Sequence, residues 1–234
     1  MRLVIWNCHQ ALQRKHKALL TLAPDVALIP ECADPNGLKL KMELSKSTLS
    51  DCVWTGVNAN KGLGLFPYND FSIRKESVCA DGGRLSIKAD IVNPKYEIKF
   101  LGLWTQGPGY IEEAHRSVEL HLDELRDSDL ILAGDLNSNK IWDNKRTLNH
   151  TSLVAKLKNE LCLTSAYHNH FNEEQGRESR GTFFFQYKAD RSYHIDYIFI
   201  PEKWTSKIKS LEVGSFKDWG HLSDHCPMVL DLDL

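Results

Sequence analysis

Short apolar runs bounded by turn residues occupy most of the first half of the chain. Strands are predicted at residues 2–6, where Leu3–Trp6 are apolar, and at 26–30, a continuous apolar run that is typical of a buried strand. Further runs are separated by turn signals such as Asp81-Gly82-Gly83 and Asn93-Pro94-Lys95, and this indicates antiparallel hairpins. The strands predicted in this region span residues 52–57, 63–66, 71–78, 84–92 and 97–104.

Helical periodicity is clearest at residues 111–126, where apolar side chains recur at positions 111, 114, 118, 122 and 125. Other helices are predicted at 13–22, at 37–47 and at 152–161. Later strands are predicted at 130–133, 182–186, 194–200, 208–213 and 227–232, with a polar loop at 173–181. Hairpins of strands with helices between some of them predict an α+β sandwich whose sheets are covered by helices.

The composition is that of an ordinary globular domain. The chain has 234 residues, of which 42% are hydrophobic and 26% are charged, and no repeat or linker divides it. We therefore predict one domain over residues 1–234. The net charge of −2 provides no global basic surface, so a polyanionic substrate must be bound by local basic groups or by a metal ion.

Six scattered cysteines without a CxxC pair argue against a structural zinc site and against a disulfide framework. The N-terminal apolar run is too short for a signal peptide, and no run approaches the length of about 18 apolar residues that a membrane span requires. We therefore expect a cytoplasmic monomer that does not contact a membrane.

Residues able to bind metal or transfer protons stand at the ends of several apolar strands. They are Asn7, Glu31, Asp135, Asn137, Asp224 and His225. Asp196 instead lies inside an apolar strand, where a carboxylate is costly unless a metal, an Arg or a His pairs with it. Strand ends on one side of a sheet can converge on a cleft, and a divalent cation would offset the repulsion among these carboxylates. Mg²⁺ suits such a site because it favours few carboxylates together with water and phosphate oxygens.

Six segments occur in an order that is typical of one family. They are Trp6-Asn7, Ile29-Pro30-Glu31-Cys32, Gly62-Leu63-Gly64-Leu65, Gly134-Asp135-Leu136-Asn137-Ser138, His194-Ile195-Asp196-Tyr197-Ile198-Phe199 and Ser223-Asp224-His225-Cys226-Pro227. Any one segment is weak evidence, and the last one taken alone is more often a polar turn, but six in order are specific. The chain resembles the endonuclease/exonuclease/phosphatase family, and within it the exonuclease-III-type nucleases and abasic-site endonucleases. The resemblance implies a four-layer α/β/β/α sandwich of two mainly antiparallel sheets flanked by helices, with a cleft at one end.

The resemblance also implies a metal site. Glu31 would be the main ligand of Mg²⁺ or Mn²⁺, Asn7 would lie nearby, and Asp224 would belong to the metal shell. A divalent ion at such a site polarises the phosphate and activates water.

Four further residues take catalytic roles under the same resemblance. Asp135 would orient or deprotonate the attacking water, and Asn137 would contact the phosphate. Asp196 would hold His225 by a hydrogen bond, and His225 would contact the phosphate or act as a base. A His oriented by an Asp has a fixed tautomer and a raised pKa, which is consistent with this division of roles.

Two positions depart from the family pattern. Trp104 ends the strand before the long helix, where the family usually has a His or Tyr, and an indole cannot accept a proton. Tyr110, six residues later, is a candidate to replace the missing hydroxyl. His9 stands where the abasic-site enzymes carry a carboxylate, which leaves a second metal position open.

Four residues are candidate substrate contacts. Trp104 stands at the family's His or Tyr position, and Tyr110 is the candidate replacement for it. Trp219 lies near the last of the six segments, and His194 adjoins the catalytic strand. Core packing is as common a role for the tryptophans, and most histidines are surface or core residues. Basic and aromatic residues also interleave between 183 and 191 and can bind a phosphate backbone and stack bases, although alternate aromatics in a strand are usually core.

Three functional hypotheses follow. The first is a Mg²⁺- or Mn²⁺-dependent phosphodiesterase acting on nucleic acid, with DNA as the expected substrate. The second keeps the chemistry but changes the substrate to a small or lipid-linked phosphoester, which the near-neutral charge favours. The third is a non-catalytic binding module that keeps the cleft, which Trp104 suggests.

Overall fold

Fourteen strands form the framework of the computed structural model, which describes residues 1–35, 51–81 and 84–234. The strands lie at β1 Arg2–Ile5, β2 Val26–Cys32, β3 Val53–Asn58, β4 Lys61–Pro67, β5 Ser72–Asp81, β6 Arg84–Val92, β7 Glu97–Thr105, β8 Leu130–Asp135, β9 Leu163–Ser165, β10 Phe183–Phe184, β11 Ser192–Tyr193, β12 Asp196–Pro201, β13 Ile208–Val213 and β14 Met228–Leu232. The helix predicted at 37–47 lies outside the described residues.

Five α-helices and three short 3₁₀ segments accompany these strands in the described ranges. The α-helices are α1 Leu12–Thr21, α2 Tyr110–Leu125, α3 His150–Leu161, α4 Ala166–Phe171 and α5 Phe216–Trp219, and the 3₁₀ segments are Lys140–Trp142, Phe185–Tyr187 and Glu202–Lys207. The first three α-helices agree with the predictions to within two residues. The sequence pattern does not predict α4, α5 and β9, because segments of three to six residues are too short to show a period.

The strands form two six-stranded sheets and one short ribbon of β10 and β11. The first sheet has the order β13-β14-β1-β2-β4-β3 and the second has the order β5-β6-β7-β8-β12-β9. Each large sheet contains one parallel pair, β1 with β2 and β7 with β8, and the remaining pairs are antiparallel. A parallel pair needs a crossover connection, and α1 and α2 supply it. The prediction of two mainly antiparallel sheets is confirmed.

Three apolar clusters stack the layers. The largest joins the inner faces of the two sheets, with Leu28 of the first sheet and Ile131 of the second among its members. A second cluster packs α2 and α3 on the outer face of the second sheet, and a third packs α1 on the outer face of the first sheet. This arrangement gives the four α/β/β/α layers predicted from the resemblance.

The close approach of β7 to β8 requires a glycine at position 134. Gly134 has a φ of 151°, and a Cβ at this position would lie 1.8 Å from the carbonyl oxygen of Leu103. Only glycine adopts this conformation without strain. The close approach sets Asp135 beside Trp104 in the parallel register of the two strands.

Replacing this glycine tests the constraint. We expect Gly134→Ala to lower the free energy of unfolding by roughly 2–4 kcal/mol, because the new methyl group meets backbone and the φ is unfavourable. Urea denaturation followed by circular dichroism measures the change. Gly109→Ala is the control, since its nearest neighbour would lie 3.8 Å away. If Gly134→Ala and Gly109→Ala were equally stable, position 134 would not require glycine.

Candidate active site

The structure brings seven of the predicted residues together at one end of the sandwich. They are Asn7, Glu31, Asp135, Asn137, Asp196, Asp224 and His225. Glu31 and Asp135 lie in the last two residues of β2 and β8, and Asp196 begins β12. The other four lie in loops next to strand ends, so the separate segments of the sequence meet because these strand ends lie at one edge. The sequence alone predicted these residues but could not place them within contact of one another.

A buried Asp–His pair lies at the centre. Nδ1 of His225 donates a hydrogen bond to Oδ2 of Asp196 at 2.9 Å, and its Nε2 lies 4.0 Å from Oδ2 of Asp135. Burial by itself lowers the pKa of His225, but the carboxylates of Asp196, Asp135 and Asp224 outweigh burial and raise that pKa to about 9. His225 is therefore an imidazolium at neutral pH, held between two carboxylates.

Asp135 is the second titrating group of the centre. Pairing of β8 with β12 sets it directly opposite Asp196, and burial together with the charge of Asp196 raises the pKa of Asp135 to about 7. His225 and the Asn7 amide act in the opposite direction. Oδ2 of Asp135 accepts from Nδ2 of Asn7 at 2.9 Å, and Oδ1 accepts from the backbone N–H of Asn137 at 3.0 Å. A carboxyl with this pKa can exchange a proton near neutral pH.

Two residues reach the cleft through unusual backbone conformations. Glu31 has a φ of 60°, and the register between β2 and β4 shifts between Pro30 and Cys32. Such a bulge reorients a side chain that the regular strand would direct elsewhere. Asn137 has a φ of 45° and donates from Nδ2 to the carbonyl oxygen of Thr105 at 3.0 Å. Non-glycine residues with positive φ are uncommon and concentrate at functional sites.

The loop that carries Asp224 and His225 is tied to β1. Nε1 of Trp6 donates to the carbonyl oxygen of His225 at 3.0 Å, and Oγ of Ser223 donates to the carbonyl oxygen of Asn7 at 2.8 Å. Because both bonds are buried, they fix the two segments relative to each other. The sequence pattern predicts these segments as part of the site, but it does not predict the supporting roles of Trp6 and Ser223.

The site offers oxygen donors that suit a divalent cation. Oδ1 of Asp196 is a buried oxygen that accepts no hydrogen bond from the described residues, and such an oxygen is costly without a partner. Oε2 of Glu31 is also buried without a hydrogen bond from these residues, although the Lys61 ammonium lies 3.2 Å away. Glu31, Asn7 and Asp224 would supply an oxygen-rich group of the kind Mg²⁺ prefers. Nδ1 of His9 lies 3.3 Å from Oδ1 of Asp224 and 4.0 Å from Oε2 of Glu31. The residues present therefore fit the predicted metal ion.

A second group of potential ligands lies deeper. One ligand atom each from Asp135, Asp196 and His225 lies within 4.8 Å of the others. Nδ1 of His225 is hydrogen-bonded to Asp196 and its Nε2 lies 4.0 Å from Oδ2 of Asp135, so both ring nitrogens already face carboxylates. The group at Glu31 is the better candidate for this reason.

The predicted substrate contacts divide into two pairs. Tyr110 is 43% exposed, and it lines a cleft of about 310 Å³ together with Glu31, Trp104 and Asn137. The Trp104 side chain is largely buried and forms the floor of this cleft. A larger cavity of about 580 Å³ adjoins it and shares Tyr110 and Asn137.

His194 and Trp219 lie elsewhere. The His194 ring is 2% exposed and packs against Tyr167, with ring centroids 4.2 Å apart, so it has no surface for a substrate. Trp219 is half-buried and packs edge-on against Trp6 at 5.1 Å. The structure therefore corrects the prediction that His194 contacts substrate, and it gives Trp219 a packing role.

Lys61 also lies in the cleft, although the sequence pattern does not predict it. Its ammonium lies 3.2 Å from Oε2 of Glu31 and 5.2 Å from the centroid of the Trp104 ring. A lysine that begins a glycine-containing strand carries no signal of function in one sequence, because only the pairing of β2 with β4 brings it to Glu31.

Three solved structures resemble this arrangement over the whole chain. A 3′-phosphatase from Neisseria bound to a product DNA hairpin has a TM-score of 0.72 and 16% identity, with 100% of both chains covered. An endonuclease/exonuclease/phosphatase from Beutenbergia cavernae has a TM-score of 0.71 and 17% identity, with 100% of this chain and 71% of that chain covered. A mannosyl-6-phosphatase from Bacteroides thetaiotaomicron has a TM-score of 0.68 and 16% identity, with 100% of both chains covered.

The chain has the endonuclease/exonuclease/phosphatase fold. The resemblance inferred from its six sequence segments is thus confirmed at the level of the fold. No protein-family model and no curated protein matches the sequence. In the ranges that the structure describes, no helix combines the length and apolar character needed to cross a membrane.

The burial of His194 predicts how stability depends on pH. Burial lowers the pKa of His194 from 6.5 to about 4, so its contribution is fully present above pH 6.5 and is lost as the pH falls toward 4, where the unfolded chain binds the extra proton. We expect wild type to lose about 3 kcal/mol more stability than His194→Phe between pH 7 and pH 4. Urea denaturation at several pH values measures the difference.

His170→Phe serves as the control for this experiment because the His170 side chain is exposed. Its pH dependence should match that of wild type. A parallel pH dependence of wild type and His194→Phe would show that His194 is not buried in its neutral form.

Proposed function

We propose that the chain is a Mg²⁺- or Mn²⁺-dependent phosphodiesterase that acts on DNA. The observation that carries the proposal is the buried Asp196–His225 pair facing Asp135, beside the oxygen-rich group at Glu31. An Asp, an oriented His and an adjacent metal-binding carboxylate together suit hydrolysis by an activated water.

The side chains divide the chemistry of hydrolysis. Asp135 lies where it can orient a water and accept its proton, since its pKa is raised toward neutrality. The His225 imidazolium, positioned by Asp196, donates to an oxygen of the phosphate and offsets its charge. Asn137 contributes a further polar contact at the mouth of the cleft. A divalent ion held by Glu31 with Asn7 and Asp224 would polarise the phosphate.

DNA is favoured as the substrate by two observations. The similar Neisseria structure is a 3′-phosphatase bound to a product DNA hairpin. Near the cleft, Phe185 and Tyr187 are 44% and 46% exposed, and the Tyr187 ring lies 5.9 Å from that of His9. Exposed aromatic rings beside an active site can stack with bases. Phe184, in contrast, is buried, as alternate strand aromatics usually are.

A small phosphoester is the second candidate substrate. The similar Bacteroides structure is a mannosyl-6-phosphatase, and the net charge of −2 provides no global attraction for a polyanion. The cytoplasmic location, the monomeric state and the single domain stay predictions.

A substrate screen distinguishes the candidates. Purified protein would be incubated with labelled single-stranded, duplex and abasic-site DNA and with sugar phosphates, each with Mg²⁺, with Mn²⁺ and with a chelator. We expect metal-dependent cleavage of DNA. Cleavage of sugar phosphates alone would favour the second candidate, and no hydrolysis of any phosphoester would support the non-catalytic binding module.

Removing the charge of Glu31 tests the metal site. We expect Glu31→Gln to weaken Mg²⁺ binding and to reduce hydrolysis roughly 100-fold or more, because the ion loses its principal ligand. Isothermal titration calorimetry measures binding, and a labelled-DNA assay measures the rate. Glu174→Gln is the matched control, since the Glu174 side chain is 77% exposed. Unchanged metal binding and activity in Glu31→Gln would refute the assignment.

The role of Tyr110 can be separated from its packing. If its hydroxyl serves the leaving group, Tyr110→Phe should lower kcat by roughly 100-fold with little effect on KM. Steady-state kinetics on the substrate found in the screen measures both constants. Tyr96→Phe, in the turn between β6 and β7, is the control. A kcat equal to that of wild type would remove Tyr110 from the catalytic machinery.

A further inference from the structure

Lys61 occupies a position that no role in the proposed hydrolysis explains. It begins β4, and the cleft it lines also exposes Glu31, Trp104, Tyr110 and Asn137. Its side chain is 36% exposed, so the ammonium is accessible from solvent at the mouth of the site. Among the described residues that line this cleft, Lys61 is the only one with a cationic side chain.

The contacts around the Lys61 ammonium leave N–H donors without a hydrogen-bond acceptor among the described residues. Nζ of Lys61 lies 3.2 Å from Oε2 of Glu31, yet that oxygen accepts no hydrogen bond from the described residues. The other neighbour is the face of the Trp104 ring, which attracts a cation without accepting a conventional hydrogen bond. An ammonium has three donors. It is therefore held in place by charge and by the ring, with donors available for an anion.

Glu31 cannot serve Lys61 and a divalent ion equally well. If Glu31 held a divalent ion, its carboxylate would be shared with that ion, and the Lys61 ammonium would lose part of its ion pair. The Trp104 ring keeps the ammonium over the cleft when this happens. An anion bound in the same cleft would give the ammonium a new partner.

We propose that Lys61 is a phosphate-binding residue of this site, held over Trp104 and paired with Glu31 until a divalent ion takes that carboxylate. The inference rests on the proposed function, because it assigns a contact with the phosphate of the same substrate. It makes Lys61 a residue that changes partner: it competes with the metal for Glu31 and supports the phosphate once the metal is bound.

The closing experiment measures two affinities in the full-length protein. Mg²⁺ binding is titrated by calorimetry, and inorganic phosphate binding is titrated in the presence of saturating Mg²⁺. For Lys61→Met we expect Mg²⁺ to bind about 2- to 5-fold more tightly, because a competing ion pair is lost. Phosphate should bind about 10-fold more weakly, because a charge-assisted hydrogen bond is lost.

Two variants accompany Lys61→Met. Lys61→Arg keeps the charge and the stacking on Trp104, so it should restore most of the phosphate affinity. Lys95→Met makes the same change in net charge at the exposed turn between β6 and β7, at the far end of the sheet from Trp104, and should leave both affinities unchanged. Circular dichroism and thermal denaturation confirm that each variant is folded.

The outcomes separate the inference from the proposed function. Tighter Mg²⁺ binding with unchanged phosphate binding would show that Lys61 only competes for Glu31, and it would overturn the inference. Unchanged values for both affinities would overturn it as well. A wild-type protein that binds Mg²⁺ and phosphate but hydrolyses no phosphoester would instead refute the proposed function.

Discussion

Two buried carboxylates face each other across the pairing of β8 with β12. Asp135 and Asp196 are at most 1% exposed and stand in direct register. Such a pair is unfavourable unless a positive charge lies nearby. His225 supplies that charge, and its raised pKa, the raised pKa of Asp135 and the unpaired oxygen of Asp196 all follow from this constraint. The rest of the site is arranged around keeping these three groups together.

In the sandwich, these three groups are brought together mainly by the course of the backbone and not by long side chains. The parallel crossovers bring β1, β2, β7 and β8 to the same end, and Gly134 lets β7 and β8 approach where a Cβ would collide. Trp6 and Ser223 then fasten the final loop to β1. Since each of these contacts is buried, the candidate catalytic groups are positioned by the packed core of the molecule, as preorganised sites require.

The structure changes the interpretation of Trp104, which stands where the family usually has a His or Tyr. The sequence presents it as the loss of a proton-handling side chain. In three dimensions the indole forms the floor of a cleft, with the Lys61 ammonium above it and Tyr110 on the wall. An aromatic ring that holds a cation near Glu31, the predicted metal ligand, is compatible with phosphate chemistry. Trp104 therefore does not argue for a non-catalytic module by itself.

Residues 2–6, 111–126 and 152–161 could be predicted as strands or helices because their apolar periods are local, and the polar residues at strand ends identified most of the site. The sequence by itself determined that Asp196, inside an apolar strand, needed a partner. The resemblance named His225 as this partner, and the structure contains that hydrogen bond. Only the tertiary structure decided that His194 is core and that Lys61 reaches Glu31. These outcomes depend on strand register and on a bulge at Glu31, which arise from packing between distant segments and leave no period in the sequence.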